Sequence, residues 1–457
     1  MRIASKEVSA VSLVKEALRK AHEFEDYHVF ISMNEEAALA QAAEIDAKIA
    51  RGEKVGRLAG VPFALKDNYL SPDGETTAGA HMLQGLTSPI TATVVEKLKA
   101  EGAIAIGRTN MDAFAHGSST ENSYFGPTLN SADRERVAGG SSGGSAVAVA
   151  LGIVEFATGS DTGGSIRQPA SFNGIYGLKP TYGATSRYGV VAMASSTDCM
   201  GFFTKTPEDM DLLMSITAGQ DPKDLTTLPD YYNSSEVKKV KRVGIIKDFD
   251  NEVVDADIRK ALKEKCELLE SKGYEIVKIE MPTLKYALAV YYIIQPAEVA
   301  SNLSRYDGVR YGFRSKDSKD LDGLYENTRD EGFMPENKRR IMIGNFVLSS
   351  GFYDAYFLKA AKARTLIIKE YEKAFSECDF ILTPVSPNPA FRLGEKVDDP
   401  VAMYLEDLMS VSLNLAGVPG LAIPAGKNAA GLPIGLQLVG PRRSDKSLIE
   451  FSKELAK

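Results

Sequence analysis

Two glycine- and serine-rich turns carry the residue types in this chain that could do chemistry. The first covers residues 139–145, and the second runs from Asp161 to Ser165. Serine in such a turn can cap a helix, bind an anion or attack an electrophile, and glycine lets the backbone approach a ligand closely. Runs of this composition are most often flexible linkers. Apolar, small-residue segments typical of a buried core flank these turns, however, and this favours a functional role.

The base that would activate a serine here cannot be assigned to histidine. Residues 140–144 fit the G-x-S-x-G pattern of α/β-hydrolases, but that fold orders its triad as serine, acid and histidine. All four histidines precede Ser141, so the order fails. A phosphate-binding loop is also excluded, because the chain lacks G-x-x-x-x-G-K-[ST]. Lys66 is the alternative base, since it ends the apolar run 60–65 and burial would lower its pKa.

Together these motifs resemble the amidase signature family of serine hydrolases, through nearly the whole chain. The resemblance implies a Ser–cisSer–Lys triad with Ser165 as the nucleophile, Ser141 as the relay after a cis Gly140–Ser141 peptide, and Lys66 as the base. Backbone amides of the second turn can converge on an oxyanion at the start of a helix. The amides assigned to this oxyanion hole are those of Thr162, Gly163 and Gly164. Residues 117–122 resemble a family loop beside the active site.

Composition narrows the class of protein. The chain has 457 residues, 61 acidic against 54 basic, and a net charge of −7, so nothing predicts a basic surface for nucleic acid. Three widely spaced cysteines predict no disulfide framework and a reducing compartment. We find neither a signal peptide nor an apolar run long enough to span a membrane. We therefore expect a cytoplasmic enzyme, with no metal and no organic cofactor bound by this chain.

The elements that must position these turns follow from the apolar periodicity. Helices are predicted over residues 6–24, 35–50, 91–100, 146–151 and 256–272. Strands are predicted over residues 103–107, 153–158, 174–181, 242–246, 274–280, 380–384 and 434–439, with Gly159 ending the second of them. The pattern over 242–280 is β–α–β, which predicts a right-handed crossover between parallel strands.

Strands that alternate with helices predict an α/β fold with one sheet and helices on both faces. The family resemblance implies the same architecture, an α/β/α sandwich around a large mixed sheet. We expect one domain over residues 1–457, with the core motifs in 60–205 and with region 241–340 partly forming a wall of the pocket.

The substrate is predicted from charged residues outside the core motifs. Glutamine carries an α-carboxylate and an α-ammonium, so a glutamine site needs one cation and one anion. Residues 338–344, 403–408 and 414–420 resemble the glutaminase branch of the family, which implies that Arg340 holds the carboxylate and Asp407 the amine. The same match implies that Tyr291 forms a pocket wall. Arg340 could instead lie on a solvated helix face, and Tyr292 stands beside Tyr291 as an alternative.

Two functions remain open from the sequence. The first is the glutaminase subunit of a tRNA-dependent amidotransferase, a carbon–nitrogen ligase that uses glutamine as amido donor. It would work with a transferase/kinase partner, the B component, which uses ATP and Mg²⁺, and with a small C component, and would meet tRNA only through the complex. The acceptor could be Glu-tRNA(Gln), Asp-tRNA(Asn) or both. The second function is a free-standing amidase for a small carboxylic amide, and a non-enzymatic scaffold is a distant third.

Overall fold

The computed structural model describes residues 8–247 and 253–455. Within these residues the strands are β1 (Phe30–Met33), β2 (Pro62–Lys66), β3 (Ile104–Thr109), β4 (Phe156–Asp161), β5 (Tyr176–Lys179), β6 (Cys199–Thr204), β7 (Arg242–Ile246), β8 (Glu275–Ile279), β9 (Phe380–Pro384), β10 (Gly420–Lys427) and β11 (Pro433–Val439). The α-helices are α1 (Ala10–Glu23), α2 (Glu35–Ala50), α3 (Thr93–Ala100), α4 (Gly143–Ala150), α5 (Arg167–Asn173), α6 (Pro207–Thr217), α7 (Ala256–Ser271), α8 (Ala287–Leu303), α9 (Leu321–Gly332), α10 (Pro335–Leu348), α11 (Lys359–Glu377), α12 (Pro400–Leu405), α13 (Val411–Ala416) and α14 (Asp445–Ser452).

All eleven of these strands join one mixed sheet in the order β1-β3-β2-β4-β6-β5-β10-β11-β9-β7-β8. The pairs β2–β3, β2–β4, β7–β8 and β7–β9 are parallel, and the remaining neighbours are antiparallel. The predicted β–α–β unit over 242–280 is confirmed as two parallel strands joined through α7.

Helices cover both faces of the sheet, as predicted. Successive side chains of a strand point to opposite faces, and they enter two different hydrophobic cores here. On β2, Phe63 lies in one core and Ala64 in the other, and Phe202 and Phe203 of β6 divide in the same way. Helices α3, α6, α7, α8, α11 and α14 pack into the first core, whereas α1, α2 and α4 pack into the second. The α/β fold with a large mixed sheet is therefore confirmed.

Most predicted boundaries agree with the structure to within two or three residues, and those of α2, β7 and β9 coincide with it. The predicted helix over 6–24 is observed as α1, although its first two predicted positions lie outside the described residues. None of the helices in the two described ranges has the length and apolar character needed to cross a membrane.

The strand predicted over 153–158 is misplaced by three residues. It is observed as β4, from Phe156 to Asp161, so Gly159 lies within the strand and does not end it. A Cβ atom at Gly159 would stand 2.7 Å from the Phe203 ring and 2.8 Å from Ile166. Glycine is therefore required by close packing, which a sequence pattern does not distinguish from a turn.

The sheet places the two candidate motifs at one edge. Strands β2 and β4 are adjacent and parallel, with Phe63 opposite Phe156 and Ala64 opposite Ala157. Lys66 ends β2 and Asp161 ends β4, so the carboxyl ends of both strands lie together. In open α/β sheets this edge is where ligands bind.

Candidate active site

Lys66 lies in a fully buried nest of serine hydroxyls. Its side chain has no solvent exposure, and Nζ lies 2.9 Å from Ser141 Oγ, 2.7 Å from Ser142 Oγ and 2.8 Å from Ser160 Oγ. Burial lowers the pKa of Lys66 to about 7, against the opposing effect of nearby carboxylates, of which Asp112 is the strongest. A lysine with this pKa is partly neutral near pH 7 and can accept a proton.

Ser141 is held in a tightly fixed turn at the start of α4. The Gly140–Ser141 peptide bond is cis, which confirms that expectation. The Gly140 amide donates to Gln168 Oε1 at 3.0 Å, and the Ser141 carbonyl accepts from the Asp112 amide at 3.2 Å. Asp112 itself accepts the amides of Thr120 and Asn122, in the 117–122 loop, one with each carboxylate oxygen. This loop therefore lies beside Ser141, as its resemblance implied.

The second turn lies directly against the first. The Ser142 amide donates to the carbonyl of Ser165 at 3.3 Å, and Ser165 is 7% exposed. The structure thus brings Lys66, Ser141 and Ser165 to one place, and Ser165 keeps a small exposed fraction. Their roles as base, relay and nucleophile follow from this placement as a proposal.

Asp161 fixes the turn that carries Ser165. Its carboxylate accepts the amides of Gly164 at 2.9 Å and Ile166 at 3.1 Å, and it pairs with Arg167 through Nε and Nη2. Burial alone would raise the pKa of Asp161, but the charge and hydrogen bonds of Arg167 lower it to about 2. The carboxylate therefore stays ionised and holds both the turn and the start of α5.

The Gly164 amide is not free to bind an oxyanion, contrary to the prediction. It donates to Asp161 Oδ1, so in this arrangement it cannot also bind an oxyanion. This leaves the amides of Thr162 and Gly163 as candidates for the oxyanion hole. The sequence could not show that the Gly164 amide is already bound, because this depends on the orientation of the Asp161 side chain.

Substituting Gly164 should disrupt the turn. Its φ is +140°, and a Cβ atom would stand 2.5 Å from Ser410 Oγ. We expect Gly164→Ala to lower stability by about 2–4 kcal/mol, from backbone strain and overpacking, and to abolish amide hydrolysis. Gly126→Ala is the matched control, since Gly126 has φ +87° with nothing within 4 Å. Denaturant melts that show equal losses for the two variants would contradict this packing argument.

Arg340 is buried, so the solvated-face alternative is wrong. It is 3% exposed on α10, and its Nε donates to Glu336 at 2.8 Å. The guanidinium faces two tyrosine rings, with centroids at 5.3 Å for Tyr292 and 5.5 Å for Tyr404. Nη1 lies 3.3 Å from Gln295 Oε1. In the described part of the chain Nη2 makes no hydrogen bond, so its two N–H groups remain available to a ligand.

Asp407 contacts Tyr292, one of the two tyrosines that face Arg340. Its carboxylate accepts from Ser118 Oγ at 2.9 Å and from the Tyr292 hydroxyl at 2.7 Å. Burial raises the pKa of Asp407 to about 6. Asp407 and Arg340 are therefore joined through Tyr292, because its hydroxyl contacts Asp407 and its ring contacts Arg340.

The two adjacent tyrosines of α8 make different contacts, and neither lines the cavity at Arg340, so the pocket-wall role expected of Tyr291 stays a prediction. Tyr291 lies against the second turn, since a Cβ atom at Gly163 would stand 2.6 Å from the Tyr291 hydroxyl oxygen. Tyr292 contacts the charged pair. Region 241–340 thus supplies both tyrosines and Arg340 to the site.

A cavity of about 300 Å³ opens beside these residues. Ser118, Glu336, Arg340 and Tyr404 line it, whereas Ser165 does not. Contacts link it to the second turn. Ser118 donates to Asp407, and the Ser410 hydroxyl donates to the Gly163 carbonyl and lies 3.1 Å from the Asp407 carbonyl.

Sequence reasoning missed Ser142 and Ser160 as partners of the lysine, and Asp112 as the support of the first turn. Ser142 follows Ser141 directly in the sequence, so the serine pair itself was the signal for a second hydroxyl at the lysine. Ser160 and Asp112 carried no separate signal, because their roles depend on strand packing and on loop closure.

The chain matches the family model described as Amidase over residues 12–449. It is 49% identical to the A component of the glutamyl-tRNA(Gln) amidotransferase of Carboxydothermus hydrogenoformans, over 99% of this chain and 94% of that protein. It is 48% identical to the corresponding component in Persephonella marina, over 100% and 95%. Among solved structures, the A component of the Thermotoga maritima glutamyl-tRNA(Gln) amidotransferase superposes with a TM-score of 0.79 at 38% identity, over 96% and 90%. The chain therefore belongs to the amidase family.

Proposed function

We propose that this chain is the glutaminase subunit of a tRNA-dependent amidotransferase and supplies ammonia for converting Glu-tRNA(Gln) to Gln-tRNA(Gln). One observation carries the proposal: a buried arginine and a buried aspartate, joined through Tyr292, lie beside a buried Lys66–serine cluster. A cation and an anion linked through one tyrosine suit an α-amino acid, which carries both charges, whereas a simple amide carries neither. The names of the similar proteins support the same function.

The reaction begins with proton transfer. Neutral Lys66 takes a proton through the Ser141 hydroxyl as Ser165 Oγ attacks the side-chain amide carbon of glutamine. The resulting oxyanion accepts hydrogen bonds from backbone amides of the second turn, near the start of α5. The proton then returns through Ser141 to the leaving nitrogen, and the C–N bond breaks. Ammonia departs and a γ-glutamyl ester on Ser165 remains.

Water completes the cycle along the same proton path. Lys66 and Ser141 remove a proton from water as it attacks the ester, and Ser165 regains its proton when the C–O bond breaks. Glutamate is released. These steps use only side chains and backbone groups of this chain, so we propose that it needs no metal and no organic cofactor for glutamine hydrolysis.

Arg340 and Asp407 should set the preference for glutamine, and matched substrates separate their roles. Glutaramic acid keeps only the carboxylate, and 4-aminobutanamide keeps only the amine. We expect Arg340→Gln to raise KM for glutamine and glutaramic acid, and Asp407→Asn to raise it for glutamine and 4-aminobutanamide, each by about 10- to 100-fold, the value of a hydrogen bond to a charged group. Equal losses on all three substrates would indicate a structural role.

The pH dependence of KM gives a second check on Asp407. The amine is held only by the ionised carboxylate, and the pKa of Asp407 is about 6. KM for glutamine should therefore rise as the pH falls below 6, while KM for glutaramic acid should change less.

The acceptor steps belong to other proteins of the complex in this proposal. We propose that a transferase/kinase partner, the B component, uses ATP and Mg²⁺, and that a small C component completes the complex. The chain would meet tRNA only within this complex. The assembly would work in the cytoplasm. Ammonia made without an acceptor would be lost, so hydrolysis should be coupled to the acceptor.

Ammonia release tests this function directly. It is measured for the chain alone, for the complex, and for the complex with ATP and Glu-tRNA(Gln). We expect release to rise at least about tenfold in the last case, which corresponds to an activation free energy lowered by about 1.4 kcal/mol or more. If the isolated chain hydrolyses glutamine as fast as the loaded complex, and no partner co-purifies, the chain is a free-standing amidase.

A further inference from the structure

His116 is a buried histidine with one ring nitrogen unused. It has no solvent exposure, and it lines the cavity that Arg340 and Ser118 also line. Its Nδ1 lies 2.6 Å from the Asn337 side-chain nitrogen, whereas Nε2 is buried and has no hydrogen-bond partner among residues 8–247 and 253–455. A buried polar atom without a partner carries a free-energy cost that a ligand can remove.

Asn337 determines which nitrogen of His116 carries the proton. The Asn337 oxygen accepts the backbone amide of Met334 at 3.2 Å, and its nitrogen donates to the carbonyl of Ala113 at 2.8 Å. These two backbone groups fix the orientation of the amide, because a flip would set oxygen against a carbonyl and nitrogen against an N–H group. The group that faces His116 Nδ1 is therefore a donor. Nδ1 must accept, so the imidazole is neutral and its proton is on Nε2.

The Nε2–H group of His116 is thus a fixed donor that needs an acceptor from the cavity. The guanidinium of Arg340 lines the same cavity and lies close enough to disfavour a second positive charge on the ring. Burial and this charge together hold the pKa of His116 well below its usual range, in agreement with the neutral tautomer. An anionic acceptor would satisfy His116 and Arg340 at once.

We propose that His116 is a specificity-determining residue, which donates Nε2–H to the carboxylate of the amide substrate alongside Arg340. The inference rests on the proposed function, because it takes the substrate to be an acidic amide of the glutamine type. One other buried atom without a partner lines the cavity in the described residues, Glu121 Oε2. It is an acceptor, so a water bridge from His116 to Glu121 is the competing arrangement.

Two substitutions at His116 separate the donor from the shape of the side chain. Glutamine can place an amide N–H close to the position of Nε2, whereas methionine fills similar space without a donor. We expect His116→Met to raise KM for glutamine and glutaramic acid by about 10- to 100-fold, with kcat within about twofold. KM for 4-aminobutanamide should stay within about twofold, and His116→Gln should restore most of the loss. His22→Met, at an exposed histidine on α1, is the matched control.

Several outcomes would overturn the inference. If His116→Met changes all three substrates equally, or if Glu121→Gln reproduces its pattern, the histidine does not bind the carboxylate. Failure of the proposed function is distinguishable: the wild-type chain and complex would then hydrolyse 4-aminobutanamide but not glutamine. In that case glutaramic acid would still test the role of His116. If that acid is neither hydrolysed nor bound, the inference about His116 is wrong.

An independent readout comes from nitrogen NMR of the full-length Ser165→Ala chain labelled at its four histidines. We expect His116 to show a protonated Nε2 and an unprotonated Nδ1, and we expect the Nε2 signal to shift when glutamine or glutaramic acid is added but not when 4-aminobutanamide is added. His116→Met identifies the signal by its loss. A proton on Nδ1, or a signal unchanged at saturating glutaramic acid, would contradict the proposal.

Discussion

Ser165→Ala should lose glutamine hydrolysis by roughly 10⁴- to 10⁶-fold, the range found when a serine nucleophile is removed. The hydroxyl is small and lies in a turn held by Asp161, so the variant should fold with an unchanged melting temperature. Ammonia release and a γ-glutamyl hydroxamate assay with hydroxylamine measure the loss. A variant that still forms the hydroxamate at the wild-type rate would exclude Ser165 as the nucleophile.

The neighbouring serines provide a matched pair for the relay. Ser141 and Ser142 lie 2.9 Å and 2.7 Å from Lys66 Nζ, so distance alone does not choose between them. We assign the relay to Ser141 and expect Ser141→Ala to cost about 10²- to 10⁴-fold in kcat, the usual value of proton-transfer catalysis. Ser142→Ala should cost far less, and the opposite order would move the relay to Ser142.

Lys66→Arg should lose about 10²- to 10⁴-fold in kcat, because a guanidinium keeps its proton near neutral pH and cannot act as a base. The control is Lys179→Arg, which introduces the same group at a second fully buried lysine, one that the reaction does not use. Both variants should lose stability, whereas only Lys66→Arg should lose nearly all activity. Comparable kcat values for the two would contradict the assignment of Lys66 as base.

The pH profile of kcat/KM shows which protonation state of Lys66 is active. Its neutral form is the active one and its pKa is about 7, so kcat/KM should fall about tenfold per pH unit below 7 and level off above it. A rate that rises as the pH falls through 7 would require protonated Lys66 and would exclude the base mechanism.

Lys66 and the two serine-rich turns could be identified from the sequence because their residue types and local spacing are unusual, whereas their catalytic roles were predicted from the family resemblance. A lysine at the end of an apolar run predicted a buried side chain, and Lys66 has no exposure. The apolar run 60–65 overlaps β2. The local pattern misplaced β4, because Gly159 is required by the Phe203 ring on the neighbouring strand, which that pattern does not contain.

The substrate residues came from resemblance, and the structure changes what they mean. Arg340 follows another arginine and a lysine on α10, a pattern typical of a solvated surface, yet it is buried between a carboxylate and two tyrosine rings. The contacts of Tyr292 with Asp407 and of His116 with Asn337 join residues over 100 positions apart, so no local pattern indicated these contacts. These contacts arise from long-range packing, which local sequence motifs do not contain.

The most direct test of the account is to locate the covalent intermediate. The wild-type chain, in complex with any co-purifying proteins, is mixed with isotopically labelled glutamine, quenched in acid during turnover and mapped by peptide mass spectrometry. The account predicts a γ-glutamyl ester on Ser165, absent from Ser165→Ala and accumulating in no other peptide. Label on Ser141, Ser142 or a cysteine, or continued turnover with no label on the chain, would contradict it.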